Sequence, residues 1–246
     1  YVLAHQPARQ LEVATYDVVF GSILHDNPAA HRDLADLGLD PTMATSAGTN
    51  ILSPHSVART PLYERFREKV TPLRLVTFYL THPAHALRTF GWGLEGIARL
   101  ELDYLGSYMA GSGAAPAAKE HRVPVYSLFW HVFKVAPILL PLLWVALAAV
   151  GLSAARRRTA TPAERAVGRL AVVVSAMIWT QFAVVLLGEG RVEVTRHMVY
   201  VSFLTAAAIP LLALAVRVRL RGVRPRARAD ISPGFSREER VLTPAG

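Results

Sequence analysis

The chain has 246 residues, of which 52% are hydrophobic and only 18% are charged, and its mean hydropathy is +0.29. This composition is unusual for a soluble globular protein and is typical of a membrane protein. There is no cysteine, which excludes a disulfide scaffold, a thiol nucleophile and any cysteine-ligated metal centre. The net charge of +9 lies entirely in residues 135–246, beside long apolar runs. That placement indicates orientation in a membrane, so we expect no nucleic-acid partner.

Residues 1–134 contain no run long enough to cross a bilayer, and their apolar residues recur with helical spacing. Tyr16, Val19, Phe20 and Ile23 fall on one face of a predicted helix. Further elements are predicted as a short helix after Asn27-Pro28 that Gly38 closes, a helix over Leu62–Val70, an apolar stretch over Leu73–Leu80, and a longer helix over Ala84–Leu105. We therefore expect an irregular helical region that lies against the membrane surface.

Three apolar runs follow, and each is long enough to cross a bilayer. They are Val135–Ala155, Leu170–Gly188 and His197–Val216. At about 1.5 Å of rise per residue, each run is about 30 Å long as a helix, which matches a bilayer core. The sequence thus predicts an all-α membrane protein, with an irregular helical region followed by three transmembrane helices.

Arginine predicts the orientation of these spans. Two Arg-dense stretches, residues 156–169 and 217–246, lie on the same side of the membrane if all three spans cross it. Because basic loops face the cytoplasm, both are predicted there, the second as a disordered tail. Residues 1–134 and the short loop 189–196 then face outward from the cell membrane, and the lipid bilayer is one predicted partner.

The outward loop between the second and third spans is the first candidate site. Arg196 and His197 enter the membrane from its outer face, and Arg191 precedes them. Cations in this position can hold a lipid phosphate or pyrophosphate. Glu189 or Glu193 can pair with them or act as a base. The alternative is a solvated turn whose charges only mark the interface.

Histidine is the second candidate. His82 and His85 stand three residues apart at a predicted helix start, and His25 or Asp26 would have to supply a third metal ligand. Because no spacing identifies that ligand, we predict no metal site and no cofactor, and a divalent metal is unsupported. The alternative is exposed or capping histidine in a proline-rich turn.

A polar pair, Thr180-Gln181, lies in the middle of the second span. An amide at that depth usually hydrogen-bonds a neighbouring helix, and contact with a substrate is the alternative. Trp144 and Trp179 are expected to be packing residues.

Two stretches resemble a known family. The first comprises Tyr16–Pro28, Asp33–Leu39 and Ala47–Asn50, and the second comprises Leu187–Gly190, Glu193, Arg196 and His197. Together they resemble the C-terminal half of a family of bacterial multi-pass proteins described as glycan-biosynthesis hexose transferases (WsfD-like). The resemblance covers most of residues 12–216. The family prefers Gly-Asp-Gly where this chain has Gly188-Glu189-Gly190, which retains a carboxylate.

The resemblance implies transfer of a hexose from a polyprenyl-phosphate-linked sugar to a glycan acceptor on the outer face of the membrane. In such transferases the catalytic carboxylate usually lies in the first outward loop. We therefore expect the catalytic residue upstream of Tyr1, and this chain to be a fragment of a larger polytopic enzyme. Arg196 and His197 would stabilise the leaving phosphate. The alternative function is a non-enzymatic assembly or scaffold protein whose outward helical region binds a partner.

Overall fold

The computed structural model describes residues 8–99, 108, 111–115, 118, 131–191 and 194–221. All regular elements in these residues are helices, which confirms the all-α prediction. The α-helices are α1 (Ala8–Val18), α2 (Ala30–Asp36), α3 (Leu62–Lys69), α4 (Pro72–Thr81), α5 (Pro83–Arg99), α6 (Leu139–Arg156), α7 (Pro162–Glu189), α8 (Val194–His197) and α9 (Val199–Arg221). The predicted continuation of α5 to Leu105 and the predicted tail from residue 222 onward lie outside the described residues.

The N-terminal helices share one hydrophobic core. Tyr16 and Phe20, from the predicted apolar stripe, are fully buried, and their rings lie 4.4 Å apart. Phe66 of α3 packs against both rings. The hydroxyl of Ser56 donates a hydrogen bond to the phenolic oxygen of Tyr16 at 2.8 Å, which satisfies a buried polar atom. After Ile23, α2 ends before Gly38, whose φ of +71° is the left-handed conformation that closes helices.

Three helices are long and apolar enough to cross a membrane, as predicted. They are Leu139–Arg156, Pro162–Gly188 and Val199–Leu220. The second helix begins eight residues before the predicted Leu170. Thr161 and Glu164 form a capping box there, because each side chain accepts a hydrogen bond from the other residue's backbone N–H. Most of the predicted Arg-rich loop 156–169 is therefore the first two turns of α7.

Small residues bring α6 and α7 into close contact. A Cβ atom added to Gly168 would lie 2.6 Å from the backbone of both Gly151 and Ala155. Hydrogen bonds between the spans add to this packing, as is common in membrane bundles. The indole N–H of the fully buried Trp144 donates to Thr205 Oγ1 of α9 at 3.0 Å. Trp144 is thus a packing residue, as expected.

The first Arg-rich stretch meets the described start of the second, residues 217–221, at one end of the bundle. Arg157 donates to the carbonyl of Val218 on α9 at 2.9 Å and forms a salt bridge with Glu164 at 2.9 Å. We call this end of the bundle the arginine end. The opposite end carries the α7–α8 loop, and we call it the loop end. The prediction that the arginine end faces the cytoplasm stays a prediction.

The N-terminal helices pack directly against the loop end. Phe90 of α5 lies 5.2 Å from Phe182 of α7, centroid to centroid. A Cβ atom on Gly93 would lie 2.8 Å from Phe182 and Leu186, so glycine allows α5 to approach α7 closely. Residues 8–99 are therefore attached to the spans along the last turns of α7, where the two resembling stretches of sequence also meet.

Candidate site at the loop end

A short π-helical segment, Val19–Ile23, extends α1 and receives the α7–α8 loop. The backbone N–H of Arg191 donates to the hydroxyl of the buried Ser22 at 2.6 Å. Gly190 adopts a φ of +59° and packs against Val18 and Ser22, a position with no room for a Cβ atom. π-helical segments are frequent at functional sites. The loop predicted as a candidate site is thus docked on the other stretch that carries the resemblance.

Two guanidinium groups lie against one indole ring beside this contact. The Cζ atoms of Arg88 and Arg191 lie 5.1 and 5.0 Å from the centroid of Trp92, within cation–π range. Arg88 is held in place, because its Nη2 donates to the carbonyl of Ile23 at 2.9 Å. The side chain of Arg191 is 42% exposed, so its charge is accessible to a ligand.

An exposed carboxylate lies beside Arg191 in this group of Arg88, Arg191 and Trp92, which we call the cation cluster. Asp26 has a φ of +48°, which is uncommon for a residue other than glycine and is found more often at functional positions. Its side chain is 83% exposed. Asp26 Oδ2 lies 2.9 Å from His25 Nε2 and 4.0 Å from Arg191 Nη1. A carboxylate and a guanidinium therefore both face solvent at this position.

A mostly apolar cavity lies between α1, α4 and α7, with a volume of about 290 Å³. Leu75, Val184 and Leu187 contribute to its apolar wall, while Gln181 and His197 are polar groups on its lining. Gly188 also lines the cavity, two residues before Gly190. The cavity therefore reaches the last turn of α7, from which the chain continues to Gly190 and Arg191.

The predicted site residues have separate positions at this end. Arg191 belongs to the cation cluster, His197 lines the cavity, and Arg196 is exposed on α8. Glu189 is the last residue of α7; its side chain, and the whole of Glu193, lie outside the described residues. The roles proposed for all five residues stay predictions.

The predicted histidine pair has different neighbours from those considered above. His82 Nε2 lies 3.2 Å from Asp36 Oδ2, and His85 Nε2 lies 2.8 Å from Asp33 Oδ2, so neither contacts His25 or Asp26. Asp33, Asp36 and His82 each bring one potential ligand atom within 4.8 Å of the others. Asp33, however, already accepts a hydrogen bond from Asn27 and pairs with His85. The group is explained by contacts of α2 with His82, between α4 and α5, and with His85 of α5, and the absence of a metal stays a prediction.

His85 connects this group to the cation cluster. Arg88 Nη2 donates to His85 Nδ1 at 3.0 Å, which leaves the Nε2–H of a neutral imidazole to donate to Asp33. Burial lowers the pKa of His85 below its ordinary value of 6.5, and the charge of Arg88 lowers it further, while Asp33 opposes both. The neutral form is thus the one that the fold favours.

Sequence reasoning missed Ser22, Arg88 and Trp92. Arg88 and Trp92 are four residues apart on a predicted helix, and this spacing predicts that they share one face of it. Ser22 lies in the first resembling stretch, but no local pattern pairs it with Arg191, which is 169 residues away in the chain.

The helical bundle, its three apolar spans and the site at their loop end define an all-α membrane protein. The family described as the YfdI N-terminal transmembrane domain has a model that matches residues 8–229, so the chain belongs to that family. No curated protein and no solved structure matches the chain. The family description names a transmembrane domain and no activity, so the resemblance to hexose transferases stays a prediction.

Proposed function

We propose that the chain belongs to a membrane glycosyltransferase of bacterial surface-glycan assembly, which transfers a hexose from a polyprenyl-phosphate-linked donor on the outer face of the membrane. The observation that supports this best is the position of Arg191. Its backbone N–H is bound by Ser22 and its exposed guanidinium lies over Trp92, in the loop that follows Gly188, a residue lining the apolar cavity at the end of α7. A lipid-linked sugar phosphate fits this combination, because its phosphate group pairs with a cation and its lipid chain packs against an apolar wall.

The residues at the loop end have distinct roles in this proposal. In the reaction, an acceptor hydroxyl oxygen bonds to the anomeric carbon, the bond from that carbon to the phosphate oxygen breaks, and polyprenyl phosphate leaves with the electron pair. Arg191, assisted by Arg196 and His197, stabilises the charge that develops on the phosphate. The apolar cavity beside His197 accommodates the first part of the lipid chain.

The proton of the acceptor hydroxyl goes to a carboxylate that acts as the general base. Among the described residues, Asp26 is an exposed carboxylate close to Arg191 and is the local candidate for this role. If Asp26 is the base, the Asp26→Asn variant of the full-length protein loses transfer but still binds the donor. Transfer that persists in Asp26→Asn assigns the base to another residue.

The proposal is tested by hexose transfer from a radiolabelled polyprenyl-phosphate donor, with the full-length protein in its native membranes. We expect Arg191→Ala, and the double variant Arg196→Ala with His197→Ala, each to reduce the rate about 100-fold or more, as expected for the loss of a group that stabilises developing charge. Arg65→Ala is the matched control, because Arg65 is an exposed arginine on α3. Each variant must reach the membrane in wild-type amount.

The alternative function predicts a different result. If the chain is a non-enzymatic scaffold, its outward helices bind a partner and the charges of the loop are dispensable. Undiminished transfer with Arg191, Arg196 and His197 all replaced would contradict the transferase role of this site and favour the scaffold.

A further inference from the structure

Helix α4 exposes large apolar side chains beside the membrane spans. Leu73 is 76% exposed and Leu80 is 79% exposed. They are seven residues apart, so they lie within about 20° of each other around the helix axis. Leu87, near the start of α5, is 71% exposed. We call these three residues the leucine surface.

The remaining faces of α4 show where the leucine surface points. Leu75, Phe78 and Tyr79 are buried in the core of the N-terminal helices. Pro72 and Val76 line the apolar cavity, which they share with Val184 and Leu187 of α7. At about 100° per residue, Leu73 and Leu80 lie about 70° further around the axis than Pro72 and Val76. The exposed leucines therefore project alongside the flank of α7.

The position of α5 gives the depth of this region along the span. Phe90 stacks on Trp179 with a centroid distance of 6.4 Å. Trp179 precedes the end of α7 by ten residues, which corresponds to about 15 Å along the helix axis. Leu87 is one turn before Phe90. The corner between α4 and α5 thus lies beside the part of α7 that a bilayer surrounds.

Charge on α4 and the preceding turn suits the same environment. Arg74, Thr77 and Thr81 occupy the face of α4 beyond the leucines, and Lys69 precedes the helix; all four are exposed. An apolar face flanked by polar and basic residues is the pattern of helices that lie at a membrane interface. Basic residues at that level can contact lipid phosphates.

We infer that α4 and the start of α5 are inserted in the leaflet around the loop end, with the leucine surface in contact with lipid acyl chains. The N-terminal helices are thereby partly embedded in the bilayer rather than resting on it. This inference does not depend on the proposed transferase activity, since it requires only that α7 spans the membrane.

The absence of cysteine makes this inference directly testable, because single cysteines can be introduced without removing any. Leu73→Cys, Leu80→Cys and Leu87→Cys are spin-labelled in the full chain, reconstituted in phosphatidylcholine–phosphatidylglycerol vesicles. Electron paramagnetic resonance then measures collisions with oxygen, which partitions into lipid, and with a water-soluble nickel chelate. Leu52→Cys is the matched control in water, because Leu52 is also 76% exposed but lies in a loop between α2 and α3. Val173→Cys, on an exposed part of α7, is the control in lipid.

We expect the three labels of the leucine surface to resemble the label at Val173, with oxygen collisions several-fold above those at Leu52 and nickel collisions several-fold below. Labels that collide with nickel as often as the one at Leu52 would overturn the inference. Labels that neither reagent reaches would also overturn it, because the surface would then be covered by protein.

Discussion

Arg88 connects the parts of the candidate site through its guanidinium. It donates to the last carbonyl groups of the π-helical segment, contacts His85 and lies against Trp92. An arginine can do this because its planar group offers several donors in fixed directions. The exposed Arg191, by contrast, uses its backbone for docking and keeps its side chain accessible. Arg88 thus holds the parts of the site together, and Arg191 is the candidate for binding a ligand.

The contact between His85 and its neighbours predicts a dependence of stability on pH. The pKa of His85 in the folded protein lies below the value of 6.5 expected in the unfolded chain, so the unfolded chain binds more protons between these two values. This contribution to stability is present above pH 6.5 and is lost as the pH falls toward the folded pKa.

We therefore expect the melting temperature of the wild type to fall on acidification below pH 6.5 more steeply than that of His85→Gln. The measurement is thermal unfolding in detergent across this pH range. His31→Gln is the matched control, because His31 is an exposed histidine that contacts neither Asp33 nor Arg88. If the melting temperatures of the wild type and His85→Gln fall equally steeply with pH, His85 is not the source of this pH dependence.

Gly190 gives a second prediction. Its positive φ and its contact with Ser22 leave no space for a side chain, so Gly190→Ala should displace the loop and destabilise the protein by about 1–3 kcal/mol. Gly188→Ala is a closely matched control, since a Cβ atom on Gly188 meets nothing within 4 Å. Denaturant unfolding compares the two variants. A Gly190→Ala variant as stable as Gly188→Ala would show that the loop is not docked on Ser22.

The helices themselves were largely predictable. Apolar runs of about 20 residues identify spans from sequence because the bilayer sets their length. Their boundaries were less predictable, since the start of α7 depends on the Thr161–Glu164 capping box rather than on hydropathy. The third run begins with His197 in sequence, but α9 begins at Val199 because His197 ends the separate helix α8.

The contact between α6 and α7 predicts sensitivity to a single methyl group. A Cβ atom on Gly168 would meet backbone atoms, which cannot move aside as a flexible side chain does. Gly168→Ala should therefore separate the helices and cost about 1–3 kcal/mol through overpacking. Gly91→Ala in α5 is the control, because the added Cβ atom has no neighbour within 4 Å. Thermal unfolding in detergent measures both, and equal melting temperatures would contradict the close contact.

The arrangement of the whole molecule explains why the site could only be predicted in part. The charged loop after α7 was identifiable from the sequence, because cations at a membrane boundary indicate a possible contact with lipid phosphates. Its docking on the π-helical segment depends on contacts across 169 residues, and the cavity depends on three helices whose packing no local pattern specifies. The sequence therefore indicated Arg191 and His197 as individual residues. It did not indicate that Arg191 belongs to the cation cluster or that His197 lines the cavity.

Binding of a lipid phosphate is the central claim, and it can be measured without following hexose transfer. The full chain in nanodiscs is titrated with fluorescent polyprenyl phosphate, in competition with unlabelled polyprenyl phosphate or with the corresponding polyprenol. We predict that the wild type prefers the phosphate about tenfold or more, equivalent to about 1.4 kcal/mol, and that Arg191→Ala loses this preference. Equal affinity of the wild type for both lipids, or an unchanged preference in Arg191→Ala, would contradict the account.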